Sequence, residues 1–141
     1  METFNDGETL RAGAVNVTAH LTPGHTPGGT SWTWQSCEDG RCLNLVYSDS
    51  LTPVSADGFL FTRREEHPHA DDFERSFSFL DNTPCDILIT PHPDASALWQ
   101  RVAARDAGNA DALMQPGACR AFAAAARDRL AQRVAKEAGA R

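Results

Sequence analysis

At 141 residues the chain is long enough for one domain with a buried core. A hydrophobic content of 41% with well-spaced turn signals places it among globular rather than disordered chains. Nineteen acidic against 13 basic side chains give a net charge of −6. With the basic residues scattered, that balance argues against nucleic acid or an anionic membrane as a partner, and neither is expected.

No stretch approaches the roughly 20 apolar residues that a membrane span needs. No basic, apolar N-terminal segment reads as a signal peptide. Asn5-Asp6-Gly7 is a turn signal, and Glu8-Thr9-Leu10 after it reads as a short edge strand. From Val15 to Leu21 apolar and polar residues alternate with the period of a sheet that has one apolar face. A second alternation runs from Thr30 to Gln35 and sends Trp32 and Trp34 to one side, where they read as core anchors rather than a ligand stack. A third, through Leu43, Leu45 and Tyr47, follows the Asp39-Gly40 turn.

Between the first two alternations lies Thr22-Pro23-Gly24-His25-Thr26-Pro27-Gly28-Gly29-Thr30. Its prolines fix their φ angles and its glycines permit conformations closed to other residues, so the turn is rigid. A histidine on such a turn is either a metal ligand or simply bonded to the backbone.

Ser50 to Thr62 reads as a loop, long for a compact domain. His67-Pro68-His69-Ala70-Asp71-Asp72 has the spacing of a metal motif but ends in Asp72 where a His is needed. It runs into Phe73, Phe77 and Leu80, a helical apolar face, with Asp71 and Asp72 favourable at the helix start. His67 and His69 are therefore not assigned to a metal. Asp86 to Thr90 is an apolar run of strand length that delivers Pro91-His92-Pro93 at its C-terminal end, where ligand loops gather in α/β sheets. A helix is expected from Ala97 to Ala107. After Gly117 and Ala118 a last one carries Phe122, Ala126, Leu130 and Val134 at every fourth position.

Four cysteines permit three connectivities. A Cys37–Cys42 bridge would staple the hairpin at Asp39-Gly40, and a Cys85–Cys119 bridge would pin the last helix to the sheet. The longer of these would contribute on the order of 3 kcal/mol in a chain-entropy account. The residues alone leave free buried thiols open as the other reading.

Gly24-His25-Thr26-Pro27-Gly28 resembles the Gly-His-Thr-Pro-Gly signature of the metallo-β-lactamase superfamily. With Thr30-Ser31-Trp32-Thr33-Trp34, Tyr47-Ser48-Asp49-Ser50-Leu51 and Thr90-Pro91-His92-Pro93 in this order, the chain is similar to the third, histidine-rich dizinc subclass of class B β-lactamases. The likeness covers only the family's C-terminal half. It implies an α/β fold, the C-terminal αβ half of a four-layer αββα sandwich, with about five strands and three helices over residues 1–141.

The same resemblance implies zinc-dependent hydrolysis of a β-lactam amide by the intact enzyme. His25 would ligate one zinc and His92 the other, and the hydroxyls of Ser50 and Thr52 would hold the substrate carboxylate. The other ligands belong to a His-x-His-x-Asp-His motif that this sequence does not contain, so no catalytic residue is assigned. The implied partners are the β-lactam and the missing N-terminal half, or a second copy meeting the bare sheet face. The resemblance also favours disulfides and a periplasmic or secreted setting.

The chain departs from the family at Thr52 for Ser, Phe59 for Tyr and Gly29 for Ser. A lactonase or glyoxalase-like thioesterase is the alternative enzyme, kept open by Asp49, which stands near a metal-bridging Asp of thioesterase relatives. A non-catalytic half-domain that pairs with another chain is the alternative outside catalysis.

Overall fold

The alternating segments form one five-stranded sheet in the computed structural model, which describes residues 3–63 and 71–139. Strands β1 (Thr9–Ala12), β2 (Val15–Leu21), β3 (Thr30–Glu38) and β4 (Arg41–Tyr47) are an antiparallel meander in chain order. The chain then crosses over through helix α1 (Asp72–Asn82) and returns as β5 (Ile87–Ile89), parallel to β4. Helices α2 (Leu98–Asp106) and α3 (Ala118–Gly139) follow, giving an α/β half-sandwich of five strands and three helices.

The core lies between one sheet face and helices α1 and α3. Val46 and Leu88 from the sheet meet Phe73, Phe77 and Leu80 of α1, and Phe122 and Ala126 of α3. Phe77 is fully buried, and the Arg127 guanidinium of α3 lies 4.9 Å from its ring centroid while also pairing with Asp81 of α1.

By register, His20, Ser31, Thr33, Val46 and Leu88 share this helix-facing side. His20 stacks on Phe79 of α1 at 4.5 Å between ring centroids and is hydrogen-bonded through Nε2 to Thr33 Oγ1 at 2.9 Å.

The opposite face carries Leu10, Val17, Trp34 and Leu45 in one row, and Ala19, Trp32 and Tyr47 in the next. The two tryptophans share one side, as the alternation indicates. Both stand on the face turned away from α1 and α3, half-buried and outside the core cluster. Period-two alternation fixes which residues share a side but not which side receives the helices. The helix-facing side sets the polar His20, Ser31 and Thr33 beside the apolar Val46 and Leu88. The open face is apolar: Leu10, Val15 and Leu21 are 36 to 38% exposed, and Phe4 packs edge-on to Trp32 at 5.1 Å.

Both disulfides are closed. Cys37 and Cys42 are direct cross-strand partners in the β3–β4 hairpin, with Cα atoms 4.0 Å apart, and Cys85 reaches Cys119 of α3 across 6.2 Å. The cross-linked hairpin explains why β3 runs on to Glu38, beyond the alternation that ends at Gln35. A 3-10 turn at Pro93–Ser96, which the sequence pattern does not announce, leads into α2. Its end residue Ala97 has φ 50°, so α2 begins one residue later than the pattern suggests. His67 and His69 lie outside the described residues.

Candidate functional site

The His25 turn is anchored at its neck and from the helix layer. Thr22 N donates to Gly29 O at 2.8 Å, and the buried hydroxyls of Thr22 and Ser31 meet at 2.7 Å. From α1, Ser76 Oγ donates to Pro23 O at 2.6 Å. Phe73 of the same helix lies over Gly24, where a Cβ would stand 2.6 Å from the ring; with φ at +139° this position needs glycine. A Cβ on Gly29 would meet Thr22 O at 2.5 Å, so the turn as it stands leaves no room for a side chain there.

So held, the half-buried His25 lies with Nδ1 2.8 Å from Thr52 O. A carbonyl oxygen only accepts, so Nδ1 carries the proton, which leaves Nε2 as the nitrogen able to offer a lone pair. This is the arrangement in which a backbone carbonyl prepares an imidazole to bind a metal through its other nitrogen. Thr52 O also accepts from Val54 N at 2.9 Å, which uses both its lone pairs.

Ser50, Thr52 and His92 line one cleft of about 290 Å³ together with Thr90, Phe122 and Arg129. Ser50 Oγ lies 3.4 Å from both the amide and the hydroxyl of Thr52, long contacts that leave it weakly held. His92 is exposed beyond the end of β5. Its carbonyl accepts from Thr90 Oγ1 at 2.8 Å and from Ala95 N at 2.9 Å. The structure thus gathers Ser50, Thr52 and His92 and ties His25 to the same loop. Asp49, half-buried, accepts from Ser50 N through Oδ1 at 2.8 Å. Phe59 packs against Phe61 at 5.0 Å between ring centroids.

Three further side chains, all on helices, support the site. Arg101 of α2 donates to Leu88 O, Ser96 O and Leu113 O at 2.7 to 3.0 Å, bracing the segment that bears His92. Arg133 and Glu137 of α3 reach the Ser50–Thr62 loop. Only the last two had a findable signal, the spacing of an ion pair at i and i+4.

This fold is shared with solved structures. Over 97% of its length the chain superposes on Rm3 metallo-β-lactamase at 52% identity and a TM-score of 0.91. MEM-A1, a subclass B3 metallo-β-lactamase isolated from a soil metagenome library, matches 98% of the chain at 40% identity and a TM-score of 0.91. The metallo-β-lactamase SMB-1, solved in a complex with mercaptoacetic acid, matches 95% at 44% identity and a TM-score of 0.86.

The chain has the fold of the C-terminal half of a subclass B3 metallo-β-lactamase. It spans about half the length of these relatives, 51 to 53% of each. No family model matches the sequence. For a metallo-β-lactamase half, the donor chemistry of His25 suits a zinc ligand, but a zinc site needs three protein ligands and an open position. Among the described residues no group of three or more His, Cys, Asp or Glu side chains is gathered to hold a metal. The described part of the chain does not by itself fit a complete zinc site.

Proposed function

We propose that this chain is one half of a zinc-dependent hydrolase that opens the amide of a β-lactam, and that the half alone is inactive. The likeness to half of Rm3, at 52% identity, carries the reading. In the intact enzyme His25 would join two histidines on one zinc, and His92 would join an aspartate and a histidine on the other, all four partners coming from the missing half. Bound zinc would lower the pKa of water towards neutrality and so supply hydroxide to the carbonyl carbon. The chain's own task is to orient His25 through Thr52 O and to offer the hydroxyls of Ser50 and Thr52 to the substrate carboxylate. Two disulfides favour an oxidising compartment, periplasmic or secreted.

A second reading, a non-catalytic half that acts by pairing with another chain, is favoured by the apolar sheet face away from the helices. Nitrocefin and thiolester assays on the chain joined to a half bearing His-x-His-x-Asp-His separate the readings. β-Lactam turnover supports the first. Thiolester turnover alone moves the substrate class, and a stable but inactive complex supports pairing.

A further inference from the structure

Glu137 is a carboxylate only 7% exposed, near the end of a helix and remote in sequence from His25, Ser50, Thr52 and His92. Its two oxygens are divided. Oε1 accepts from Arg133 Nε at 2.6 Å, one helical turn back, and Oε2 accepts from Thr62 N at 3.1 Å. Arg133 in turn donates through Nη2 to Ser55 Oγ at 3.1 Å and lies over the Phe61 ring at 5.6 Å from its centroid. Two side chains on one face of α3 therefore grip both legs of the loop that runs from Ser50 to Thr62. Ser55 is three residues from Thr52, whose carbonyl holds Nδ1 of His25.

We infer that Arg133 and Glu137 are positioning residues: by fixing Ser55 and Thr62 they set the Thr52 carbonyl that orients His25, and with it the hydroxyls facing the cleft. An ion pair whose carboxylate is buried while its guanidinium is 33% exposed is a poor device for stability alone. What it supplies is direction, through donors and acceptors aimed at particular loop atoms. Burial pushes the Glu137 carboxyl up, but the bond from Arg133, the amides of Thr62 and Phe61, and the charge of Arg133 outweigh it and hold the group below its ordinary range. The clasp is therefore charged at neutral pH. Only the functional importance of this loop rests on the β-lactamase reading; the clasp does not.

The test uses the 141-residue chain, with ring-15N histidine NMR to read the His25 tautomer and hydrogen exchange to read the loop. Glu137→Gln keeps the shape and removes the charge. Ser55→Ala removes the outer bond of Arg133 together with the long 3.4 Å bond from Ser55 Oγ to Phe59 O, so Arg133→Lys, which leaves Ser55 bonded to Phe59, is the companion variant that decides the matter should the first fail to fold. The expected result is native circular dichroism with amides from Val54 to Thr62 exchanging about tenfold faster. The His25 signals should move from a fixed Nδ1–H tautomer towards a mixture. An unchanged His25 signature in the folded variants would overturn the inference. So would exchange that rises evenly over the whole chain, the mark of a merely stabilising pair. Neither readout involves hydrolysis, so failure here leaves the β-lactamase reading standing, and failure of that reading leaves the clasp.

Discussion

Gly28 and Gly29 are neighbours in the His25 turn but answer to different constraints. A Cβ at Gly28 meets nothing within 4 Å, whereas one at Gly29 would press on the Thr22 carbonyl, which is backbone and cannot swing away. Gly29→Ala is expected to cost about 1 to 3 kcal/mol, and Gly28→Ala no more than about 0.5; urea midpoints of the two variants check this. His20 gives a pH signature. Burial holds its imidazole below the ordinary value of 6.5, against the opposing pull of Asp6. Below that value the unfolded chain binds more protons than the native one, so stability is lost as pH falls. Urea midpoints should drop from pH 7 to pH 5, and less steeply in His20→Gln. At this scale the rigid turn that bears His25 and the loop at the end of β5 that bears His92 were legible because both are local motifs. Arg101, Arg133 and Glu137 were not, because their partners are distant in sequence and become neighbours only once the helices are packed.

Among the elements, α1 and α3 carry the core while the hairpins shape its sheet. Phe77→Ala, emptying a fully buried site between the sheet and both helices, should cost about 3 to 5 kcal/mol in denaturant unfolding. The two disulfides should differ. Replacing Cys85 and Cys119, separated by 34 residues, is expected to cost about 3 kcal/mol, and replacing Cys37 and Cys42, separated by 5, less. Paired unfolding curves of the two double variants test that order. Alternation and helical spacing located each strand and helix to within a few residues. They could not reveal the short turn at Pro93–Ser96, whose bonds are local and whose residues have no periodicity. Nor could they say which side of the sheet the helices cover, and so on which side Trp32 and Trp34 stand.

For the whole molecule the decisive feature, among the described residues, is the apolar sheet face turned away from the helices, with the half-buried Val17, Trp32, Trp34, Leu45 and Tyr47 in register across it. Monomers rarely leave contiguous apolar patches larger than a few hundred Å² exposed. The isolated chain is therefore expected to self-associate through this face, and light scattering should find a dimer or larger species that Trp34→Lys shifts towards monomer. The proposal that this chain is half of a zinc hydrolase is tested by nitrocefin hydrolysis, measured with excess zinc on the purified chain alone and on the chain mixed with the N-terminal half of Rm3. No turnover is expected from the chain alone, and turnover on mixing; enzyme-like turnover by the chain alone, or none from a mixture in which the two halves have bound, would contradict that proposal.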